Sequence, residues 1–344
     1  VYIQKINIFC KQLILKLYNF FFQKKFATWL LTTISSVFLL LCLLGWYWSQ
    51  EPKLFPIETQ YKKYITESTA TTVIGVTTSS TLIHLAETLL NKPGGFIAND
   101  IMPPGVVLDN ISSWEIGVLI QIRDMTRVMR KDFCRSQSQS KEDPDLAKAE
   151  PQFNFDARSW MLPASESEYQ IGINKLVAYT KRLAKKDVNT HFYNRADNLA
   201  RWLSDVATRL GSLSQRLSIC TIKPSLEQNG ASIIINDDPK NQQTTPWLKL
   251  DDIVYEARGT AWALIHLLQA IRIDFFDILS KKHALASIDQ IIVELLMTQQ
   301  RIFSPMILNS SGFGIFTNHS LMISSYISRA NIGIVDLKKL LEQG

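Results

Sequence analysis

FYNRADNLARWLSDVATRLGSLSQRL, residues 192–217, decides the fold class. Phe192, Ala196, Leu199, Leu203, Val206, Leu210, Leu213 and Leu217 alternate steps of four and three without a miss. Such spacing stacks the apolar side chains on one stripe of a helix, like a coiled-coil seam. Ile253, Ala257, Ala261, Leu264, Leu268, Ile271, Phe275 and Leu279 form a second stripe. At ~1.5 Å per residue each helix is expected to run about 40 Å. Shorter periodic segments predict helices over 81–91, 114–134, 165–186, 287–302 and 319–342. Ser165 with Glu168, and Ser287 with Gln290, fit the reciprocal capping pattern that starts a helix. His319, preceded by Asn318 after the turn GFGIF, reads as another helix N-terminus.

The connecting stretches are polar or rich in Pro and Gly. KPGGFIANDIMPPG (92–105) is incompatible with regular helix, and SQSQSKEDPDLAKAE (136–150) reads as a solvated loop. Residues 221–246 make a long excursion in which Ser232 to Asn236 suits a short strand. No internal repeat is found. The expectation is an all-α, elongated helical bundle.

Ahead of the bundle, Phe26 to Trp48 is an uncharged run of 23 residues. As a helix it is about 35 Å long, enough to cross a ~30 Å hydrocarbon layer. Trp29 at one end and Trp46, Tyr47 and Trp48 at the other are the aromatics expected at lipid–water boundaries. Lys5, Lys11, Lys16, Lys24 and Lys25 precede the run and no acidic residue occurs before Glu51, so the N-terminus is expected in the cytoplasm. The charged segment is long for a cleaved signal and GWYWSQEP offers no small-x-small cleavage site, which favours an uncleaved signal anchor. The expected organisation is a cytoplasmic segment 1–25, a membrane span 26–48, a linker 49–70 and a periplasmic helical domain 71–344. In segment 1–25 the lysines and amides occupy about a third of a helical wheel, which suits contact with anionic lipid. The alternative, suggested by the leading Val, is a start assigned too early, with these residues incidental.

The chain carries a net charge of +6 and a pI near 9.0, yet it does not read as a nucleic-acid binder. Five of the 37 basic residues precede the apolar run, which leaves the remainder at about +1 against 31 acidic residues. Of the four cysteines, Cys10 is cytoplasmic and Cys42 lies in the span. Cys134 and Cys220 then face an oxidising compartment, as a disulfide worth about 4–5 kcal/mol or as two buried thiols.

KPGGFIANDIMPPG, SESEYQIGINKL, FYNRADNLARWLSDVATRLGSLSQRL, WLKLDDIVYEARGTAWALIHLL and SPMILNSSGFGIFTNHSLMISSYISRANIGIVDLKKLLEQG together resemble a proteobacterial family of single-pass inner-membrane proteins of unknown function. The resemblance covers nearly all of the chain beyond the span. It implies a Gram-negative envelope protein and supplies no activity and no catalytic residue.

Motifs for chemistry are sparse. Asp252, Glu256, His266, Asp274 and Asp277 share a helical arc, but Glu256 and His266 lie about 15 Å apart along it, too far to share one ion. His84 and Glu87 are one turn apart, a pair that serves metal proteins when it occurs twice; here it occurs once. Ser138 and Lys141 match S-x-x-K without the motifs that accompany it. With no P-loop, H-E-x-x-H, C-x-x-C or G-x-S-x-G, no cofactor and no metal are expected. Arg123, Arg127, Arg130 and Lys131 form a basic stripe that is either an anion site for lipid phosphate or wall polymer, or a solvated face. Arg195, Arg201, Arg209 and Arg216 pose the same choice. Trp160, Trp202, Trp247 and Trp262 are expected mainly in the core, the alternative being a sugar platform.

The functional expectation is a non-enzymatic scaffold or binding module in envelope maintenance. Its partners would be membrane lipid through residues 26–48 and another envelope protein, with homo-oligomerisation through the 192–217 seam. The competing expectations are a wall or lipid hydrolase or lyase using His319, Glu256 and Asp252, and a lipid carrier with an apolar tunnel between the long helices.

Overall fold

In the central crossing of the molecule two helix backbones touch. Helix α4 (Asp109–Val128) and helix α8 (Leu250–Asp274) meet at Gly117 and Gly259. A methyl group at Gly117 would stand 2.2 Å from the carbonyl oxygen of Glu256, and one at Gly259 would stand 2.0 Å from that of Trp114. Only glycine permits this approach. From residue 257 to 268 every side chain of α8 is buried, so the second predicted stripe is the spine of the core and not one face of a surface helix. Trp114 and Trp262 stack beside the crossing at 5.1 Å.

The computed structural model describes residues 11–16, 18, 24–63, 73–135, 142–219, 225–229, 232–236, 249–302, 307 and 318–343. The remaining helices are α1 (Lys24–Trp48), α2 (Glu58–Tyr61), α3 (Val76–Asn91), α5 (Pro144–Phe153), α6 (Ser165–Ala184), α7 (Ala196–Ile219), α9 (Phe276–Lys281), α10 (Leu285–Met297) and α11 (His319–Glu342). The fold is all-α, with one antiparallel hairpin pairing Ser225–Asn229 with Ser232–Asn236. The expected strand is therefore present, and its partner precedes it.

The 192–217 stripe closes within the chain. Leu199, Leu203, Val206, Leu210, Leu213 and Leu217 are buried, and α11 runs antiparallel along them. Ser320 Oγ donates to the Leu217 carbonyl at 2.9 Å and Ser324 Oγ to that of Ser214 at 3.1 Å, a serine edge beside the apolar seam. The seam expected to pair two chains is thus already covered. Asn318 caps α11 by accepting from the Leu321 amide at 2.8 Å, the expected helix start.

Several boundaries differ from expectation. Residues 144–153 are helix where a loop was expected: Asp143 accepts from the amides of Asp145 and Leu146, and Pro144 occupies the first turn. Helix α6 begins at Ser165 as expected, but neither predicted pair forms the capping hydrogen bonds. Ser165 is buried and donates to the carbonyls of Asp156 and Ser159, while α10 begins at Leu285, ahead of Ser287. Helix α3 starts five residues earlier than the apolar period suggests, because Thr77, Thr78, Ser79, Ser80 and Thr81 are buried although polar. Helix α4 runs into a π turn, Met129–Phe133, which delivers Phe133 to Phe192 and Phe275 at 5.1 and 5.4 Å.

Cys134 is a buried free thiol whose sulfur lies 2.9 Å from the Tyr179 hydroxyl, and burial raises its pKa. Cys10, Cys220, Ser138, Lys141 and Trp247 lie outside the described residues. Trp202 and Trp262 are core residues as expected, while Trp160 is exposed.

Candidate functional site

The polar chemistry of the chain concentrates where α1 enters the domain. Within α1, residues 26–48 contain an 18-residue window with a mean hydropathy of 2.1 and are long and apolar enough to cross a membrane or to serve as a signal sequence. The side chains of this helix are largely exposed, with one exception. Leu41, Leu44, Gly45 and Trp48, spaced as one stripe over its last two turns, are partly or fully covered by the domain. A methyl at Gly45 would lie 3.4 Å from Pro104, and one at Gly94 would lie 2.9 Å from the Trp48 ring.

The chain beyond Trp48 was expected to be a linker over 49–70. Residues 51–57 instead lie strapped across the domain. Glu51 takes a two-pronged ion pair from Arg258, at 2.8 and 2.6 Å. Arg258 is buried and also donates to the carbonyls of Thr298 and Gln300, at 2.7 and 2.9 Å. Those carbonyls close the C-terminal end of α10, where a cation is favoured. Four residues on, Phe55 stacks on His266 at 3.9 Å and meets His84 edge-on at 4.3 Å.

The His266 ring completes the latch. Its Nε2 accepts from the Phe55 amide at 3.1 Å, so Nδ1 carries the proton and donates to the Trp262 carbonyl at 2.7 Å. Burial holds this histidine neutral, with its pKa lowered to about 4. A second buried latch folds the 92–105 segment. Lys92 Nζ sits 2.6 Å from Glu115, and Glu115 accepts from the amides of Ile97 and Ala98. Desolvation raises the Glu115 pKa to about 7 despite these donors.

Cavities flank the strap. One of about 730 Å³ is lined by Trp46, Lys53, Tyr255, Arg258, Trp262 and Arg301, among others. Trp262, one of its walls, has its Nε1 buried without an acceptor. A second, of about 340 Å³, shares Arg258 and Arg301 and holds His319. A third, of about 370 Å³, lies on the other side of the strap beside His84 and Glu87, whose side chains approach to 3.6 Å. Cations and aromatics at the end of an apolar helix suit the headgroup of an anionic amphiphile better than they suit bond-breaking chemistry.

The residues singled out from sequence are dispersed. Asp252 accepts from Ser113 at 3.0 Å, and Glu256 is held by Arg216. Neither is among the residues that line the cavity beside His319. Asp274 caps α3 from outside, accepting from the amide and hydroxyl of Thr78 at 2.7 and 2.6 Å. Among the described residues no three His, Cys, Asp or Glu side chains converge as metal ligands would.

The basic stripe is engaged internally. Arg123 donates to the carbonyls of Phe153 and Phe155 at the end of α5, Arg127 pairs with Asp124 and Asp205, and Arg130 with Glu142 and Glu150. Lys131 is exposed. Arg195, Arg201 and Arg209 pair with Asp197, Asp132 and Asp124. Sequence reasoning missed Arg258 and Glu51. The available signal was a guanidinium on an otherwise apolar face of the most buried helix, which requires a partner.

Comparison with curated proteins and with solved structures gives no match. A family does match over residues 22–344, including the strap, the latches and the end of the apolar helix. The chain belongs to that family, described as an uncharacterized protein conserved in bacteria (DUF2333).

Proposed function

We propose that this is an inner-membrane-anchored envelope protein whose periplasmic helical domain acts as a non-enzymatic binding module, mounted rigidly at the membrane surface. The observation that carries the reading is the double grip on the anchor exit. Gly45 and Trp48 lie against Pro104 and Gly94, and Glu51 and Phe55 are latched to Arg258 and His266. Cleavage behind the apolar helix would discard the first of these contacts, which supports a retained anchor over a removed signal. A mount of this kind fixes the height of the domain above the bilayer. Presentation of a surface to another envelope component needs fixed height; turnover of a freely diffusing substrate does not.

The test is covalent crosslinking in living cells, with the full-length protein at its native level, followed by capture and mass spectrometry. Reproducible recovery of one or two envelope proteins, reduced per molecule of protein in Arg258→Ala, is the expected result. Recovery of the protein alone with lipid or glycan fragments would overturn the reading. An alkaline phosphatase fusion after Gly344 should be active; an inactive fusion would remove the periplasmic assignment.

A lipid-handling role is the second reading, favoured by the 730 Å³ cavity with its unpartnered Trp262 Nε1. Against it, the facing apolar residues of α7 and α11 among the described residues are buried in one continuous core.

A further inference from the structure

The segment Ile101–Leu108 has no charged residue and leaves its apolar side chains in the open: Ile101 is 54% exposed, Met102 75%, Val106 54% and Val107 70%. In a domain that buries three tryptophans completely, such a cluster requires a cover. Its position indicates which. Pro104 and Leu108, in the same segment, lie against Gly45, three residues before the end of the apolar helix. With ~1.5 Å of rise per residue, the segment reaches about 5 Å below Trp48, and the covered stripe extends to Leu41, about 10 Å below it. These are the depths at which interfacial elements sit in a leaflet, about 5–10 Å into the headgroup and acyl boundary.

The backbone is prepared for the same environment. Pro103 and Pro104 have no amide hydrogen, and the amides of Val106, Val107 and Leu108 donate to Met102, Pro104 and Gly105 at 3.2, 3.1 and 2.9 Å. Five of the eight positions from Ile101 to Leu108 thus present no unpaired amide donor, which would be costly in hydrocarbon. Asn99, just before it, donates to the Ser159 carbonyl at 2.9 Å and to Glu166 at 2.8 Å. That ties the segment to a second apolar tip, where Trp160 is 51%, Met161 53% and Leu162 88% exposed.

We propose that Ile101–Val107 is a wedge that inserts into the outer leaflet of the membrane carrying the anchor, with Trp160–Leu162 as a second contact. The occupant of this apolar surface is the bilayer itself, because the surface is continuous with the anchor. The proposal rests on the membrane-spanning reading of residues 26–48, and its test separates the two.

A photo-reactive amino acid is placed in the full-length protein, in its native membrane, at Met102, at Val107, at Leu39 in the middle of the apolar helix, and at Val188 on a remote exposed loop. Lipid adducts at Met102 and Val107 should be comparable to those at Leu39 and ~tenfold above Val188, as expected for side chains within the acyl boundary. Lipid adducts at Leu39 but not at Met102 and Val107 would overturn the wedge and leave the anchor intact. Absence of adducts at Leu39 as well would overturn the anchor. Adducts at Met102 to a protein, or to a second copy of the chain, would assign the patch to that occupant and overturn the wedge. In Val106→Asp/Val107→Asp the Met102 lipid adducts should fall several-fold while those at Leu39 persist; unchanged Met102 adducts would also count against insertion.

Discussion

Two regions of the domain are stabilised by different physics. Along α7 and α11 the contact is a dry apolar stripe edged by serines, whose strength comes from area removed from water. At the anchor end, buried charged and polar side chains hold the chain in place: Lys92 with Glu115, Arg258 with Glu51 and His266 with Phe55. The apolar seam tolerates adjustment, because a lost methyl leaves a cavity that can partly collapse. A buried charge has no such graded response, since removing one partner strands the other. The anchor end is therefore the specific end, and the seam is the bulk stabiliser.

Arg258→Ala should have the largest effect, about 4 kcal/mol of unfolding free energy by chemical denaturation, because Glu51 and two helix-end carbonyls lose their donor together. It should also raise hydrogen exchange over residues 51–57; a variant that loses stability without loosening the strap would refute the link between latch and mount. Leu210→Ala, in the seam, should cost about 3–4 kcal/mol and leave exchange in the strap unchanged.

The third test uses pH. His266 has a folded pKa near 4 against an ordinary 6.5, so the unfolded chain binds more protons between these values and stability falls as pH is lowered from 6.5 to 4. The loss is on the order of 3 kcal/mol. Glu115, raised from 4.5 to about 7, acts in the opposite sense, with stability falling as pH rises from 4.5 to 7, so the two offset each other in the shared window. His266→Gln, which can still accept from Phe55 and donate to Trp262, should remove the histidine contribution and leave a net decline in stability as pH rises across that range. An unchanged pH profile would mean that His266 titrates normally. Arg201→Ala breaks only the exposed pairs with Asp132 and Asp197 and should cost less than about 1 kcal/mol.

The contrast also explains what could be read beforehand. Apolar periodicity is written in consecutive residues, so the 192–217 stripe, the 253–271 stripe and the start of α11 at Asn318 were legible. Helix α5 was legible too, from Asp143 and Pro144 before Leu146 and Ala149, but the Ser/Gln run ahead of it suggested a continuous loop. The polar latches were not legible, because their partners are far apart in sequence: Glu51 and Arg258, Thr78 and Asp274, Arg123 and Phe153. Arg123 and Asp274 both looked like members of a charged face. Each instead serves the end of a helix other than its own, and no spacing rule within one helix reports that. The Ser165 pattern marked the start of α6 correctly but not its bonding, since the Ser165 hydroxyl donates to carbonyls elsewhere in the fold.

The grip on Gly45, Trp48 and Glu51 has a consequence for encounters. With residues 26–48 spanning a membrane as proposed above, anchor and domain would turn as one body about its normal, the helix exit being held by Gly45 and Trp48 and by the latched strap beyond. A partner embedded in the same bilayer then has only lateral drift and a single rotation angle to match, where a domain on a slack tether would present every orientation. Recognition becomes a search in a plane with one compass bearing, so modest side-chain contacts on the right flank can discriminate neighbours that a flexible tether would sample indiscriminately.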